Sequence, residues 1–200
     1  MIDLVIAQLA EKGWCAQPGF LADELVQRLA HDAEALHQSG HLHPAATGQG
    51  AQRGVRAGLR DDAIAWLDDS LASPEQREYL ARMEDLRLAA NRELQLGLFD
   101  LEAHFARYPA GARYQKHLDV FQHDSRRTLS VICYLNSNWQ ETEGGQLRLY
   151  LDETGAEDKH HVDILPEGGT LACFLSHRFL HEVLPASRER LSLTGCFKRR

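Results

Sequence analysis

The stretch Thr128-Leu129-Ser130-Val131-Ile132-Cys133-Tyr134-Leu135 reads as a β-strand, and it is one of a series. It is short, apolar and rich in residues that suit a pleated surface. From Phe99 onward the same rhythm recurs, as period-two alternation or as short apolar runs. Phe99 to Tyr108, Tyr114 to Val120, Gln146 to Leu151 and His161 to Leu165 are strand candidates. So are Thr170 to Leu175, His181 to Leu184 and Arg190 to Phe197. Pro, Gly, Asn or Asp punctuate most of the gaps. About eight strands at near-regular spacing predict a sandwich or jelly roll. Before them the period is helical. Leu4, Ile6 and Leu9 give a short amphipathic turn or two. Leu21, Leu25, Leu29, Ala33 and Leu36 form one apolar helix face, which Gly40 can stop. Ser73-Pro74-Glu75-Gln76 starts a third helix with a capping residue, a proline at the first helical position and a capping box. That helix is expected to end near Gly97. Between the second and third helices, His43 to Gly58 reads as a mobile, glycine-bearing loop, and Arg60 to Trp66 as a strand. Helices first and strands second predict the α+β class.

Composition narrows the function. The chain has 200 residues, 44% hydrophobic and 26% charged, which is globular composition. The net charge of −7 argues against a nucleic-acid partner. No apolar run reaches the ~18–20 residues of a membrane span, so no membrane partner is expected. Asp3 sits where a signal peptide would carry positive charge. Four scattered cysteines, with no CxxC pair, do not read as a secreted disulfide framework. A cytoplasmic protein is the expectation.

There are eleven histidines, and most read as surface residues. His117-Leu118-Asp119 is different. On a strand, i and i+2 share a face, which places an imidazole beside a carboxylate. A second histidine from a later strand completes a 2-His-1-carboxylate triad, the non-haem Fe(II) arrangement. His161-Val162-Asp163 has the same spacing, but only His177 and His181 follow it. His117 and His181 are separated by several strands, as facing strands of a jelly roll are. The metal ligands read from the sequence are therefore His117, Asp119 and His181. Arg190 follows on the next strand. Its fork of donors suits the far carboxylate of a metal-chelating dicarboxylate. Ser192, on the same strand face, and Tyr134 can each add a hydroxyl.

Several spaced motifs together resemble the prolyl-4-hydroxylase branch of the Fe(II)/2-oxoglutarate-dependent dioxygenases. They are the run from Tyr108 through His117-Leu118-Asp119, the run from Arg127 through Tyr134 to Asn136, then Trp139 and Gly144-Gly145. His181-Glu182-Val183-Leu184-Pro185 with Arg190-Leu191-Ser192 closes the pattern. The segment Arg60 to Trp66 is similar to the one flanking the substrate loop in the hypoxia-factor prolyl hydroxylases. The resemblance implies a double-stranded β-helix (jelly roll) core with N-terminal helices packed on it. Residues 1–200 would form one domain, with 1–97 as helical support and 98–200 as the core. It implies Fe(II), 2-oxoglutarate and O2, with ascorbate as a candidate reductant. It implies that Arg190 and Tyr134 bind the cosubstrate carboxylate and that Tyr108 lines the cosubstrate pocket. It implies a protein substrate with a target proline, elongation factor Tu being one candidate. Arg53 and Arg56 of the loop, with Trp66 and Arg127, are the candidate substrate contacts. Cys196 stands where the family usually has an aromatic residue, which puts substrate fit in question. Two other readings stay open: the same chemistry on a small molecule or free amino acid, and a non-catalytic jelly-roll metal-binding sensor.

Overall fold

In a computed structural model of the chain, residues 1–46, 54–56, 58–120, 126–152 and 160–200 are described. Three helices and eleven strands follow in the order α1 (Ile2–Lys12), β1 (Trp14–Gln17), α2 (Asp23–Gln38), β2 (His43–Pro44), β3 (Ala63–Trp66), α3 (Pro74–Leu94), β4 (Leu98–Tyr108) and β5 (Tyr114–His117). Then come β6 (Arg127–Tyr134), β7 (Leu147–Tyr150), β8 (His161–Ile164), β9 (Leu171–Leu175), β10 (His181–Val183) and β11 (Arg190–Arg199). The strands form two antiparallel sheets. The larger has the order β1-β9-β6-β11-β4-β3-β2 and the smaller β5-β10-β7-β8.

Local chemistry sets the helix ends. Gly13 adopts φ 79, so α1 ends in the left-handed turn that glycine tolerates without a Cβ penalty. Ser73 Oγ accepts the Gln76 N–H at 3.2 Å and Pro74 opens α3. The capping box is only half formed, because Gln76 Nε2 donates to Asp32 of α2 at 2.9 Å. That bond ties α3 to α2. Helix α3 stops before Gly97, at Leu94, with Gln95 in the left-handed region. The Asn91 side chain then holds Leu98 by both its N–H and its C=O, at 2.7 and 2.8 Å, turning the chain into β4.

Alternation along the central strands builds two cores. On β6, Leu129, Val131 and Cys133 join Leu29, Met83 and Leu86 of the helices. Ile132 and Tyr134 face the smaller sheet with Phe174, Leu149 and Val183. On β11, Leu193 and Phe197 lie on the helix side. By the same period of two, Arg190, Ser192, Thr194 and Cys196 turn toward the space between the sheets. The helices thus seal one face of the large sheet, and the small sheet leaves a cleft over the other.

Four sequence expectations change. His43 and Pro44, expected to open a loop, instead form β2 because they pair with Ile64 and Ala63 of β3. Strand β1 pairs with β9 and was not foreseen; four residues are too few for a clear period. Only Ala63–Trp66 of the Arg60–Trp66 run is strand, with Arg60 making an isolated bridge to Tyr114. Strand β5 stops at His117 and not at Val120. His117 pairs with His181, the first residue of β10, so the ladder has no strand partner for residues 118–120.

Candidate active site

His117 and His181 are cross-strand partners, and their rings lie 4.2 Å apart between centroids. Backbone carbonyls fix both rings. His117 Nδ1 is 2.7 Å from Gln115 O and His181 Nδ1 is 3.1 Å from Phe179 O. A carbonyl can only accept, so each Nδ1 carries the proton and each Nε2 presents a lone pair. Asp119 completes the group: Oδ1 lies 3.6 Å from His117 Nε2, and Oδ2 lies 3.6 Å from His181 Nε2. The ligand atoms of the three residues all fall within 4.8 Å of one another. It is the one such cluster among the described residues. Burial, with the neighbouring His117, lowers the His181 pKa to about 4, which keeps the imidazole neutral. Burial pushes the Asp119 carboxyl up, but His181, His117 and Ser130 outweigh it and hold the group well below the usual carboxylate range. Two imidazoles and one carboxylate are the donor set of a divalent transition metal.

The rival HxD does not assemble a site. Arg148 binds Asp163 through two bonds of 2.8 Å, and His161 lies 3.9 Å from that engaged carboxylate.

Beyond the triad opens a cavity of about 370 Å³, lined by Tyr108, Tyr114, His117, Asp119, His181 and Arg190 among others. Arg190 is 2% exposed. Its Nε donates to Gly145 O at 2.9 Å, and its guanidinium sits over the rings of Tyr134 and Tyr108 at 5.0 and 5.2 Å. Among the described residues no carboxylate pairs with it. A buried cation without an anion is costly. The Tyr134 hydroxyl beside it is buried with no partner. Burial raises that phenol to about 12, so it keeps its proton and can donate. Burial likewise pushes the Tyr108 phenol up. A guanidinium at one end and a metal-ligand cluster at the other fit a dicarboxylate; Tyr134 lies against Arg190 but is not among the residues lining the cavity. Ser192 is on the expected face of β11 but does not line the cavity; its hydroxyl sits 3.2 Å from Thr194 Oγ1.

Of the remaining predicted residues, Trp66 and Arg127 line the cavity. Trp66 is half exposed, with its ring edge-on to His104 at 4.7 Å. Arg127 has Nε donating to Glu102 at 2.7 Å and Nη1 to the Asp119 carbonyl at 3.3 Å. Cys196 lies in the wall with Thr194 and Gly195. Arg56 is exposed. Arg53 and much of the expected loop lie outside the described residues.

Residues beyond the predicted set also shape the site. Arg60 binds the fully buried Asp62 through bonds of 2.7 and 2.9 Å, and lies over Tyr114. Tyr114 in turn stacks on His117 with centroids 3.6 Å apart. Ser130 donates to Asp119 Oδ2 at 2.6 Å. The i, i+2 spacing of Arg60 and Asp62 was a readable signal. Nothing in the sequence marked Ser130.

Two imidazoles and a carboxylate, set inside a jelly roll with a buried guanidinium behind them, define a non-haem iron oxygenase that uses a 2-oxo acid. The sequence signature of the 2OG-Fe(II) oxygenase superfamily matches residues 103–198. The chain is 45% identical to a Pseudomonas putida prolyl-4-hydroxylase of known structure, with 100% of both chains covered and a TM-score of 0.88. It is 29% identical to a Trichoplax adhaerens prolyl hydroxylase solved with a hypoxia-inducible-factor peptide fragment, covering 98% of this chain and 88% of that one, with a TM-score of 0.85. The protein therefore belongs to the 2OG-Fe(II) oxygenase superfamily, in its prolyl-hydroxylase branch. It is an enzyme whose chemistry uses Fe(II), 2-oxoglutarate and O2. No described helix is long and apolar enough to cross a membrane.

Proposed function

We propose that the enzyme is a peptidyl-prolyl 4-hydroxylase acting on a protein, with elongation factor Tu as the first substrate to test. The observation that carries this reading is full-length similarity to a prolyl-4-hydroxylase, together with a cavity at the triad whose lining includes the half-exposed Trp66. In this reading His117, Asp119 and His181 hold Fe(II) through Nε2, one carboxylate oxygen and Nε2. Arg190 binds the far carboxylate of 2-oxoglutarate, Tyr134 donates its hydroxyl to the same group, and Tyr108 packs along the cosubstrate.

The bound iron, with its cosubstrate and O2, supplies the power to oxidise an unactivated C–H bond. The protein's part is binding and orientation. The two Nδ1–H bonds to carbonyls stop the imidazoles from turning away. The apolar walls from Ile132, Leu147 and Val183 exclude water from the reacting region. Trp66 and Arg127 of the cavity lining contact the substrate chain, and Arg53 and Arg56 are the further candidate contacts. Four free, buried cysteines accord with a reducing, cytoplasmic setting. Ascorbate is a candidate reductant for idle iron.

The test is mass spectrometry of elongation factor Tu after incubation with enzyme, Fe(II), 2-oxoglutarate and O2. One added oxygen on a proline, absent with His117→Ala, is the expected result. Succinate release driven by free amino acids, with the protein unmodified, would favour the small-molecule reading. No succinate release with any substrate would favour a sensor.

A further inference from the structure

The two histidines of the triad are locked into the smaller sheet, but Asp119 is not. It lies two residues past the end of β5, where no ladder bond holds its backbone. A carboxylate on an unpaired bend has rotational freedom that a metal ligand must lose. The side chain finds its restraint on the other sheet. Ser130 Oγ of β6 is 2.6 Å from Asp119 Oδ2, and Ser176 Oγ, just past β9, is 2.9 Å from Ser130 Oγ. The proton order is fixed by chemistry. An ionised carboxylate only accepts, so Ser130 gives its single proton to Asp119. Ser130 must then accept from Ser176. The residues are 1% and 0% exposed; Ser130 interrupts the apolar strand β6 and Ser176 follows directly on β9, where a hydrophobic side chain would pack at lower cost. The backbone has its own tether. Arg127 Nη1 donates to the Asp119 carbonyl at 3.3 Å, while Glu102 holds that guanidinium at 2.7 Å and is itself held by Lys198 at 3.1 Å.

We propose that Ser130, supported by Ser176, is a positioning residue that sets the orientation of the Asp119 carboxylate and so the affinity of the site for a divalent transition ion. The bond from Ser130 leaves Oδ1 directed at His117 Nε2 and Oδ2 at His181 Nε2, so the carboxylate spans the space between the imidazoles. The inference rests on the reading of His117, Asp119 and His181 as the metal ligands.

The experiment is anaerobic titration of the metal-free enzyme with Co(II), read by calorimetry and by the visible d–d spectrum. Wild type that takes up no Co(II) would refute the ligand assignment itself, and this proposal with it. Given tight wild-type binding, Ser130→Ala should weaken Co(II) by roughly 10–100-fold, as loss of an outer-shell partner does, and should shift the spectrum. Ser130→Thr keeps the hydroxyl and suits a strand, so it should recover to within about threefold. Ser176→Ala, one bond further back, should cost roughly threefold to tenfold and serves if Ser130→Ala does not fold. A purely structural serine would lower the melting temperature of the metal-free protein and leave Co(II) affinity and spectrum unchanged. That pattern, or a threonine variant as weak as alanine, would overturn the proposal.

Discussion

Replacing Arg190 by methionine should separate ligand binding from folding, because the two effects have opposite signs. In the ligand-free protein the guanidinium is buried against a carbonyl and two tyrosines, with no carboxylate beside it among the described residues. Desolvating an ion costs several kcal/mol, and cation–π contact returns about 1–2 of that. Methionine forfeits the charge-assisted bond to Gly145 O, worth about 1.5–3 kcal/mol, but removes the stranded charge. The free variant should therefore melt no earlier than wild type. With 2-oxoglutarate the sign reverses. Charged hydrogen bonds to its carboxylate are worth about 1.5–3 kcal/mol, so the dissociation constant should rise roughly 10- to 150-fold. At a ligand concentration ~100 times the wild-type constant, 2-oxoglutarate stabilises wild type by about 2.7 kcal/mol. A ~30-fold weaker variant would keep about 0.9 kcal/mol of that. The lost ~2 kcal/mol corresponds to about 4–8 °C of ligand-induced thermal shift in a chain of this size. Differential scanning fluorimetry of the Mn(II)-loaded protein, without O2, reads both numbers. A variant that melts early when free, yet binds 2-oxoglutarate as wild type does, would show Arg190 to be a structural residue and refute the reasoning.

Three further outcomes follow from the same site. Tyr134→Phe removes a hydroxyl that has no partner in the free protein, so stability should hold while 2-oxoglutarate affinity falls roughly threefold to tenfold in calorimetry. Burial, with other contributions, lowers His104 to about 3 and His181 to about 4, from an ordinary value of 6.5. Below pH 6.5 the unfolded chain takes up protons that these imidazoles refuse. Urea unfolding of the metal-free enzyme should therefore show stability present above pH 6.5 and falling toward pH 4, by up to about 1.4 kcal/mol per pH unit for each histidine. A flat profile between pH 7 and 5 would exclude that buried neutral state. Gly145→Ala would bring a Cβ to 2.9 Å from Ala186 Cβ and 3.4 Å from Arg190 Cδ, at φ +74. It should destabilise the fold by about 1–3 kcal/mol and weaken 2-oxoglutarate binding, both measurable in one thermal-shift series.

Much of this was legible in the chain because two periods carry it. Leu129, Val131 and Cys133 against Ile132 and Tyr134 is a strand pattern that burial on both faces only strengthens. The triad was legible for a reason that turned out incomplete. His117 and Asp119 were expected to share one strand face, yet β5 ends at His117 and Asp119 reaches the site from a bend. The i, i+2 spacing survives because the bend is short. Strand ends depend on whether a partner strand exists at that level, and the sequence of β5 says nothing of where β10 begins. Ser130 and Ser176 lie 46 residues apart. Ser130 looks like an ordinary strand serine and Ser176 like a turn serine until folding brings them together beside Asp119. Arg127 stood as a substrate contact, and it lines the cavity; its bonds to Glu102 and to the Asp119 carbonyl depend on a register between β4, β6 and β11 that spacing alone does not give.

The most direct test of the account is anomalous X-ray scattering from crystals grown with Fe(II) and 2-oxoglutarate without O2. A single iron peak should lie within bonding distance, about 2.0–2.2 Å, of His117 Nε2, His181 Nε2 and one Asp119 oxygen, with the cosubstrate running from it to Arg190. Iron bound elsewhere, or 2-oxoglutarate seated away from Arg190, would contradict it.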